Sequence, residues 1–290
     1  MNPTHDSDQF KITAVITTFN RKEMLHNAVN SVINQSYPAA QVIVLDDGSD
    51  DGTADMIISE FPQIEYICQP NSGISSARNS GIQAAKYPWI AFLDADDEWL
   101  PGKLEEQVSA LQKNRQFLLC HCDEIWIRHG RRVNPKNIHR KYGGDIFDKC
   151  LPLCVISPSA VLIHHSLFDE IGLFDTSMPV CEDYDLWLRI CAQESVLFVE
   201  KKLLKKFGGH SDQLSIKYWG MDRYRIYSIE KALNSEKLNK RQRIAALKVV
   251  LKKIKIYISG AKKRDKNEEV QKYKQKYDQY KNKLRALQAV

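Results

Sequence analysis

Between residues 12 and 93 short β-rich apolar runs alternate with helical patterns, four of the former to three of the latter, and this alternation constrains the fold more than any other feature. The run 12–19, Ile-Thr-Ala-Val-Ile-Thr-Thr-Phe, leads into a helical pattern with Leu25, Ala28, Val29, Val32 and Ile33 on one face. Strand patterns recur at 42–45, 64–68 and 89–93, separated by helical stretches at 54–61 and 75–85. Strict alternation implies right-handed βαβ crossovers, hence an α/β fold with a mainly parallel sheet flanked by helices. Open sheets of this kind bind ligands just beyond the C-terminal ends of their strands. Chemistry is therefore sought first at those ends.

Further along, 101–113 reads as helix and 117–127 as strand, followed by a basic, Gly-containing stretch, 128–144, whose length and polarity predict a mobile lid or binding loop. A strand is expected at 157–164, a short helix at 166–171 and an amphipathic helix at 183–193 with Leu186, Ile190 and Cys191 inward. Beyond Trp219 the pattern is helical to the end, with an apolar stripe of Ile244, Leu247, Leu251, Ile254 and Ile258 edged by Lys248, Lys252, Lys253 and Lys255. The expected division is a domain at 1–218 and a basic helical extension at 219–290.

Charge supports that division. Residues 231–290 hold 19 Lys and Arg against 5 Asp and Glu, a net of +14, whereas residues 1–230 hold 23 against 31, a net of −8. The acidic body is no nucleic-acid binder by charge, and the basic tail calls for an anionic partner. Seven cysteines, odd in number and mostly inside apolar runs, read as reduced core residues. Cys120-His121-Cys122 alternates along a strand, thiols on one face and imidazole on the other, and lacks further ligands at zinc spacing. With no signal-sequence pattern at the start and no apolar run long enough to span a bilayer, a cytoplasmic protein is expected, peripheral at most to the inner face of the cell membrane.

Five segments at predicted strand or helix ends carry the chemistry. Thr17-Thr18-Phe19-Asn20 offers hydroxyls and an aromatic face for a base or ribose. Asp46-Asp47-Gly48-Ser49-Asp50-Asp51-Gly52-Thr53 has the first ligand spacings of a calcium loop, but Ile58 stands where the bidentate Glu is needed, so a turn and helix start remain, with Asp46 or Asp47 able to accept an N–H from a nucleobase. Residues 71–81 place small residues and Arg78 at a helix start, an arrangement suited to phosphate or to a solvated arginine. Asp94-Ala95-Asp96-Asp97, after the apolar run 87–93, sets hard oxygen ligands two residues apart, fit to share a Mg²⁺ or Mn²⁺ ion with a diphosphate. Finally, Glu182-Asp183-Tyr184-Asp185 gathers carboxylates at a helix start, where one could act as general base or simply cap the helix.

In this order and spacing, Thr-Thr-Phe-Asn-Arg, Val-Leu-Asp-Asp-Gly-Ser-Asp-Asp-Gly-Thr, Gly-Ile-Ser-Ser-Ala-Arg-Asn, Phe-Leu-Asp-Ala-Asp-Asp and Glu-Asp-Tyr-Asp-Leu-Trp-Leu-Arg resemble the family 2 glycosyltransferases of the GT-A fold, across roughly residues 11–215. The resemblance implies a nucleotide-diphosphosugar donor, a UDP-sugar foremost, a glycan or lipid-linked acceptor, and inversion at the anomeric carbon in bacterial cell-surface polysaccharide or glycolipid synthesis. By motif position, Thr17 and Phe19 would line the nucleoside pocket, Asp47 would bond the base, Arg78 would face base or diphosphate and Asp94 would hold the ribose. Asp96 would ligate Mn²⁺ or Mg²⁺, His210 on a late Gly-flanked loop would add a ligand, and Asp183 would deprotonate the acceptor hydroxyl.

Two other classes compete. A sugar-nucleotide nucleotidyltransferase would want a Gly-rich triphosphate loop in the first strand-to-helix turn, and residues 17–21 hold no Gly. A non-catalytic nucleotide-sugar binding module would be expected to have lost Asp96 or Asp183, and both positions are acidic. For residues 231–290 the readings are a helical pair packed on the core, a contact with an anionic membrane surface, and, through Tyr273, Tyr277, Tyr280, Leu284 and Leu287, a homodimer contact.

Overall fold

The computed structural model describes residues 10–209 and 218–289. His210, a candidate ligand by sequence, lies outside the described residues. The chain forms two compact units, neither a single stretch of sequence: Met1–Gly144, Ile156–Pro179 and Ser195–His210 in the first, Asp145–Val155, Val180–Glu194 and Ser211–Val290 in the second.

The first unit begins as the alternation demands: β1 Ile12–Thr18, α1 Lys22–Ile33, β2 Gln41–Asp46, α2 Thr53–Glu60, β3 Glu65–Cys68, α3 Ile74–Ala84 and β4 Trp89–Asp94. These strands lie parallel in the order β3-β2-β1-β4, so the order reverses beside β1, where crossovers leave to opposite sides. Every β1 residue is buried, since both sheet faces are covered. On one face Ile12, Ala14 and Ile16 join a core with Leu25, Ala28, Val29 and Val32 of α1. On the other, α3 lies so close that a Cβ at Gly81 would collide with Val15, so the absence of a side chain there sets the helix-to-strand distance.

Beyond β4 the sheet turns mixed. β5 Asp97–Trp99, α4 Lys103–Lys113, β6 Leu119–Arg128, β7 Arg131–Val133, β8 Val161–His164 and β9 Leu197–Gly208 complete the order β4-β8-β6-β9-β5, with β7 on β6. β8 is antiparallel to β4 and β6, β9 is parallel to β6 and antiparallel to β5. Parallel pairing thus runs through the first four strands and recurs between β6 and β9, with antiparallel pairs on either side of that pair.

Two expectations are corrected here. Stretch 128–144 is not a loop throughout: β7 forms a hairpin with β6, a 3₁₀ turn occupies Asn137–His139, and Lys141 is pinned by a buried ion pair to Glu124 of β6, Nζ to Oε1 at 3.0 Å. The strand expected from residue 157 starts only at Val161, because Pro158 opens a 3₁₀ turn over Pro158–Ala160. The cysteines behave as expected: none is in a disulfide, and Cys120, Cys122, Cys150, Cys181 and Cys191 are buried.

The second unit is helical. α5 Phe147–Cys150, α7 Glu182–Cys191, α8 Asp222–Asn234, α9 Lys240–Lys262 and α10 Asn267–Gln288 compose it, α6 Ser166–Ile171 belonging to the first unit. A capping box between Asn239 and Gln242 starts α9, and Ala246, Leu247, Val250, Leu251, Ile254 and Tyr257 form its buried stripe. Among the described residues no helix is long and apolar enough to cross a membrane.

Candidate active site

Parallel pairing brings three strand ends to one edge of the first unit. In register, Thr17 of β1 lies between Leu45 of β2 and Asp94 of β4, and Thr18 lies beside Asp46. The Thr17 and Thr18 side-chain hydroxyls are buried, and among the described residues neither has a hydrogen-bond partner. Buried hydroxyls are rarely left so unless something absent completes them. Phe19, next along, is 45% exposed, a large ring open to solvent at the same edge.

The two aspartates ending β2 do different work. Asp46 is fully buried and accepts from the Ser49 amide and hydroxyl through Oδ1 and from the Tyr66 hydroxyl through Oδ2, closing the turn after β2. Asp47 gathers the loop before α3: the Gln69 amide and Ser72 N–H donate to Oδ1 and the Gly73 N–H to Oδ2. A carboxylate offers about four acceptor positions, so three bonds leave room for one more donor. Asp47 therefore both fixes the loop and can still accept an N–H from a ligand.

At the end of β4 two carboxylates face two guanidiniums. Arg78, on the buried face of α3, donates from Nη2 to Asp94 Oδ1 at 2.7 Å and lies over the Phe174 ring. Arg21, just after β1, donates from Nη1 to Asp96 Oδ2 at 3.1 Å. Burial pushes the Asp94 carboxyl up, but Arg78, Lys206 and Arg21 outweigh it and hold the group below the ordinary carboxylate value. Asp96 goes the other way, raised by burial and by the Asp94 charge against the pull of Arg21. Neighbouring carboxylates whose environments drive them apart are characteristic of sites that handle charge.

The third aspartate of the cluster is structural. Asp97, 2% exposed, accepts the Ser159 hydroxyl at 2.6 Å and the Phe207 N–H at 3.1 Å, tying the β4–β5 turn to the Pro158–Ala160 turn and to β9. Burial raises its carboxyl well above the ordinary value despite Lys206, with Asp96 and Asp94 adding. Ser159 also receives the Asp94 N–H on its hydroxyl, so one side chain positions both aspartates. Four contributors escaped the sequence reading: Arg21, Ser159, Lys206 and the clamping role of Asp97. Arg21 carried a signal, adjacency to Asn20 in the first motif. Ser159 and Lys206 carried none, since only the pairing of β9 and the turn before β8 bring them close.

Among the described residues no three His, Cys, Asp or Glu side chains converge to hold a metal ion. Asp94 and Asp96 supply hard oxygens, each with one oxygen engaged by an arginine. That donor set fits a cation whose remaining positions come from phosphate and water, the usual manner of Mg²⁺, and does not make an all-protein cage.

Asp183 belongs to the second unit. It lies in the first turn of α7, partly exposed, with Oδ1 accepting the Tyr184 N–H at 2.6 Å and Oδ2 facing the Cys154 thiol at 3.3 Å. The turn that presents it is strained, since Cys181, just before α7, has a φ of 63°, which a non-glycine residue seldom adopts. Its neighbour Asp185 is buried and paired with Arg189 and Lys231, so Asp183 is the carboxylate of that run with the accessible position. Thus Thr17, Phe19, Asp47, Arg78, Asp94 and Asp96 share one strand edge in the first unit, and Asp183 stands on the second.

Comparison with known proteins agrees with this architecture. Residues 13–172 match the description of Glycosyl transferase family 2. A Rickettsia prowazekii protein named as an uncharacterised glycosyltransferase is 31% identical over 199 residues, 67% of this chain and 63% of that one, so the chain spans less than two thirds of that relative's length. An Escherichia coli protein, WfaP, named as a UDP-Glc:alpha-D-GlcNAc-diphosphoundecaprenol beta-1,3-glucosyltransferase, is 30% identical over 190 residues, 63% of this chain and 70% of that one. Among solved structures, S. aureus TarS in complex with UDP-GlcNAc superposes with a TM-score of 0.65 over 86% of this chain and 73% of that chain, at 17% identity, a likeness of fold. With the strand order, the strand-end carboxylates and a family match over more than half its length, the chain belongs to glycosyl transferase family 2 and has the GT-A fold.

Proposed function

We propose that the protein transfers a sugar from a nucleotide-diphosphosugar, a UDP-sugar, to a hydroxyl of a lipid-linked or glycan acceptor in bacterial surface-polysaccharide or glycolipid synthesis, with inversion. The observation that carries this reading is the pairing of Asp94 with Arg78 and of Asp96 with Arg21 beside the unsatisfied Thr17 hydroxyl, at the point where strand order reverses. The names of relatives support the donor and acceptor classes: WfaP by its printed activity, and TarS by the UDP-GlcNAc in its crystal.

In this reading Phe19 stacks on the base, Asp47 accepts a base N–H through its remaining lone pair, and Thr17 with Asp94 holds the ribose. Arg78 and Arg21 lie where they can pass from carboxylate to diphosphate and neutralise the leaving group as charge develops on it. A Mg²⁺ or Mn²⁺ ion held by Asp96, with His210 as a further candidate, would supply additional neutralisation of that diphosphate. Asp183 accepts the proton of the acceptor hydroxyl. The acceptor oxygen then bonds to the anomeric carbon while the bond from that carbon to the phosphate oxygen breaks, and the nucleoside diphosphate departs with the electron pair. No covalent intermediate on the protein is needed.

The test is calorimetric titration of nucleotide sugars with and without Mn²⁺, followed by mass spectrometry of products with a polyprenyl-diphosphate-linked sugar acceptor. Asp183→Asn is expected to bind donor as wild type does and to lose transfer, and Asp96→Ala to lose metal-dependent donor binding. Full transfer by Asp183→Asn removes Asp183 as base. Failure of every nucleotide sugar to bind removes the reading altogether.

A further inference from the structure

We propose that the second unit carries its own site for the phosphate of an amphiphilic phosphate ester, in the cavity between the start of α8 and the end of α9. The cavity measures about 220 Å³ and is lined by Trp219, Met221, Arg225, Ile256, Tyr257 and Gly260, among others. Its floor is aromatic, the Trp219 and Tyr257 ring centroids lying 5.4 Å apart. Its rim is cationic: Arg264 and Lys266 stand over the Trp219 ring at 5.0 and 5.1 Å. The acid in the lining, Asp222, is already engaged by Arg225 at 3.0 Å and by Lys253 at 3.1 Å, so it does not neutralise the rim.

Two further observations point to a ligand. Ile256 is 53% exposed at the mouth, with Lys252 and Lys255 exposed beside it on α9. An apolar side chain in water amid lysines is what a surface meeting both acyl or prenyl chain and phosphate requires. Gly260 lies within α9, where glycine costs the helix roughly 1 kcal/mol relative to alanine, and packing does not demand it. A Cβ there would meet only Arg264 Nη1 at 3.8 Å and Trp219 Cζ2 at 4.0 Å, ordinary contacts. What the missing side chain does is keep the cavity open. An aromatic floor, whose Tyr257 hydroxyl is taken by Glu269 at 2.7 Å, an exposed aliphatic lip and the guanidinium and ammonium groups over Trp219 together select an anion with an apolar tail: a phosphate joined to a lipid chain, supplied either by a lipid-linked sugar acceptor or by a bilayer headgroup.

The choice of lipid phosphate as ligand rests on the proposed transferase reading, and the experiment separates the two. The full chain is mixed with neutral phosphatidylcholine vesicles doped with undecaprenyl phosphate or, separately, with phosphatidylglycerol, and binding is followed by co-flotation. The variants are Gly260→Leu, which fills the cavity while favouring helix, and Arg264→Glu with Lys266→Glu, both at exposed positions. UDP-sugar binding, which involves none of these residues, is measured in parallel. We expect both variants to weaken vesicle binding at least tenfold while retaining donor binding. Selective loss with undecaprenyl phosphate assigns the site to a lipid-linked substrate, and equal loss with phosphatidylglycerol assigns it to the bilayer. Vesicle binding that is absent in wild type, or undiminished in both variants, overturns the site, and donor binding alone then decides the transferase reading.

Discussion

The ion pair between Glu124 and Lys141 gives the most quantitative test of how the basic stretch after β6 is held. Glu124 is 2% exposed on β6 and Lys141 7% exposed by side chain on the segment expected from sequence to be a mobile lid. Burial works against the Glu124 charge, but Lys141 and Lys206, with the Trp126 indole donating at 2.8 Å, outweigh it and bring the carboxyl from an ordinary 4.5 down to about 2. Each tenfold change in a proton equilibrium is about 1.4 kcal/mol, so the charged glutamate contributes on the order of 3 kcal/mol at neutral pH. The folded value lies below the unfolded one, so this stability is present above pH 4.5 and is lost as pH falls toward 2. Lys141→Met keeps the aliphatic stem and deletes the charge, stranding a buried carboxylate. It is expected to destabilise the first unit by about 3 kcal/mol, a melting shift of roughly 6–12 °C for a unit of this size. Glu124→Gln with Lys141→Met should recover at least half, since a neutral pair strands no charge. Differential scanning calorimetry at pH 7 reads both. A shift below about 2 °C for Lys141→Met would refute the claim that this pair anchors the segment, and the lid reading would return.

His121 is buried, with Nε2 against the Tyr142 carbonyl at 2.8 Å, and burial and the nearby Lys141 charge push its proton affinity down to about 4. The fold therefore holds it neutral, and stability should fall by about 2.5 kcal/mol between pH 7 and 4.5 as the unfolded imidazole takes its proton; His121→Phe should flatten that part of a urea-denaturation pH profile, and parallel profiles would count against the assignment. Lys103 is fully buried beside the Trp99 ring and its ammonium is brought to about 8 by burial. Its penalty is present below pH 8 and relieved toward 10.5, so the stability gap between wild type and Lys103→Met should change in favour of wild type over that range. Mn²⁺ alone should bind at least tenfold more weakly than Mn²⁺ in the presence of UDP, measured by calorimetry, because each candidate carboxylate is already paired with an arginine; equal affinities would mean that a preformed metal site exists.

The parallel half of the sheet was legible because β1, β2 and β4 are buried on both faces and read as continuous apolar runs, as in Val15, Ile16, Ile43, Val44, Leu45 and Ile90. What the sequence concealed is the mixed half, where parallel and antiparallel pairs meet on one strand. β9, Leu197–Gly208, carries Lys201, Lys202, Lys205 and Lys206 and has no clean alternation, because it sits between β6 and the three-residue β5 and bulges along β6 near Cys122 and Asp123. At the site, the aspartates were legible as strand-end acids, but their division of labour was not. Asp46 and Asp97 are the same residue type as Asp47 and Asp94, and only burial and partners, Tyr66 and Ser49 for one, Ser159 and Phe207 for the other, mark them as structural. Motif spacing locates a chemical group, and tertiary contacts decide whether it is spent on the fold.

The balance of charge at the β4 edge shows why those hidden partners matter. Asp94 and Asp96 face Arg78, Arg21 and Lys206, and Asp97 beside them has its carboxyl raised well above the ordinary value by burial. Three carboxylates against three cations leave the edge without the excess of acid that a cation site alone would carry. A site built for a divalent cation alone would carry an excess of acid, whereas a site built for a diphosphate alone would need no aspartates facing the crevice. In the proposed transferase reading this balance would suit a ligand pair of nearly cancelling charge, a diphosphate with its counterion: Arg21 and Arg78 would exchange carboxylate partners for phosphate oxygens, leaving Asp96 able to hold the cation and Asp94 the ribose. Lys206, on a strand distant in sequence, would be the cation left beside Asp94 and Asp96 if Arg21 and Arg78 turned to the diphosphate.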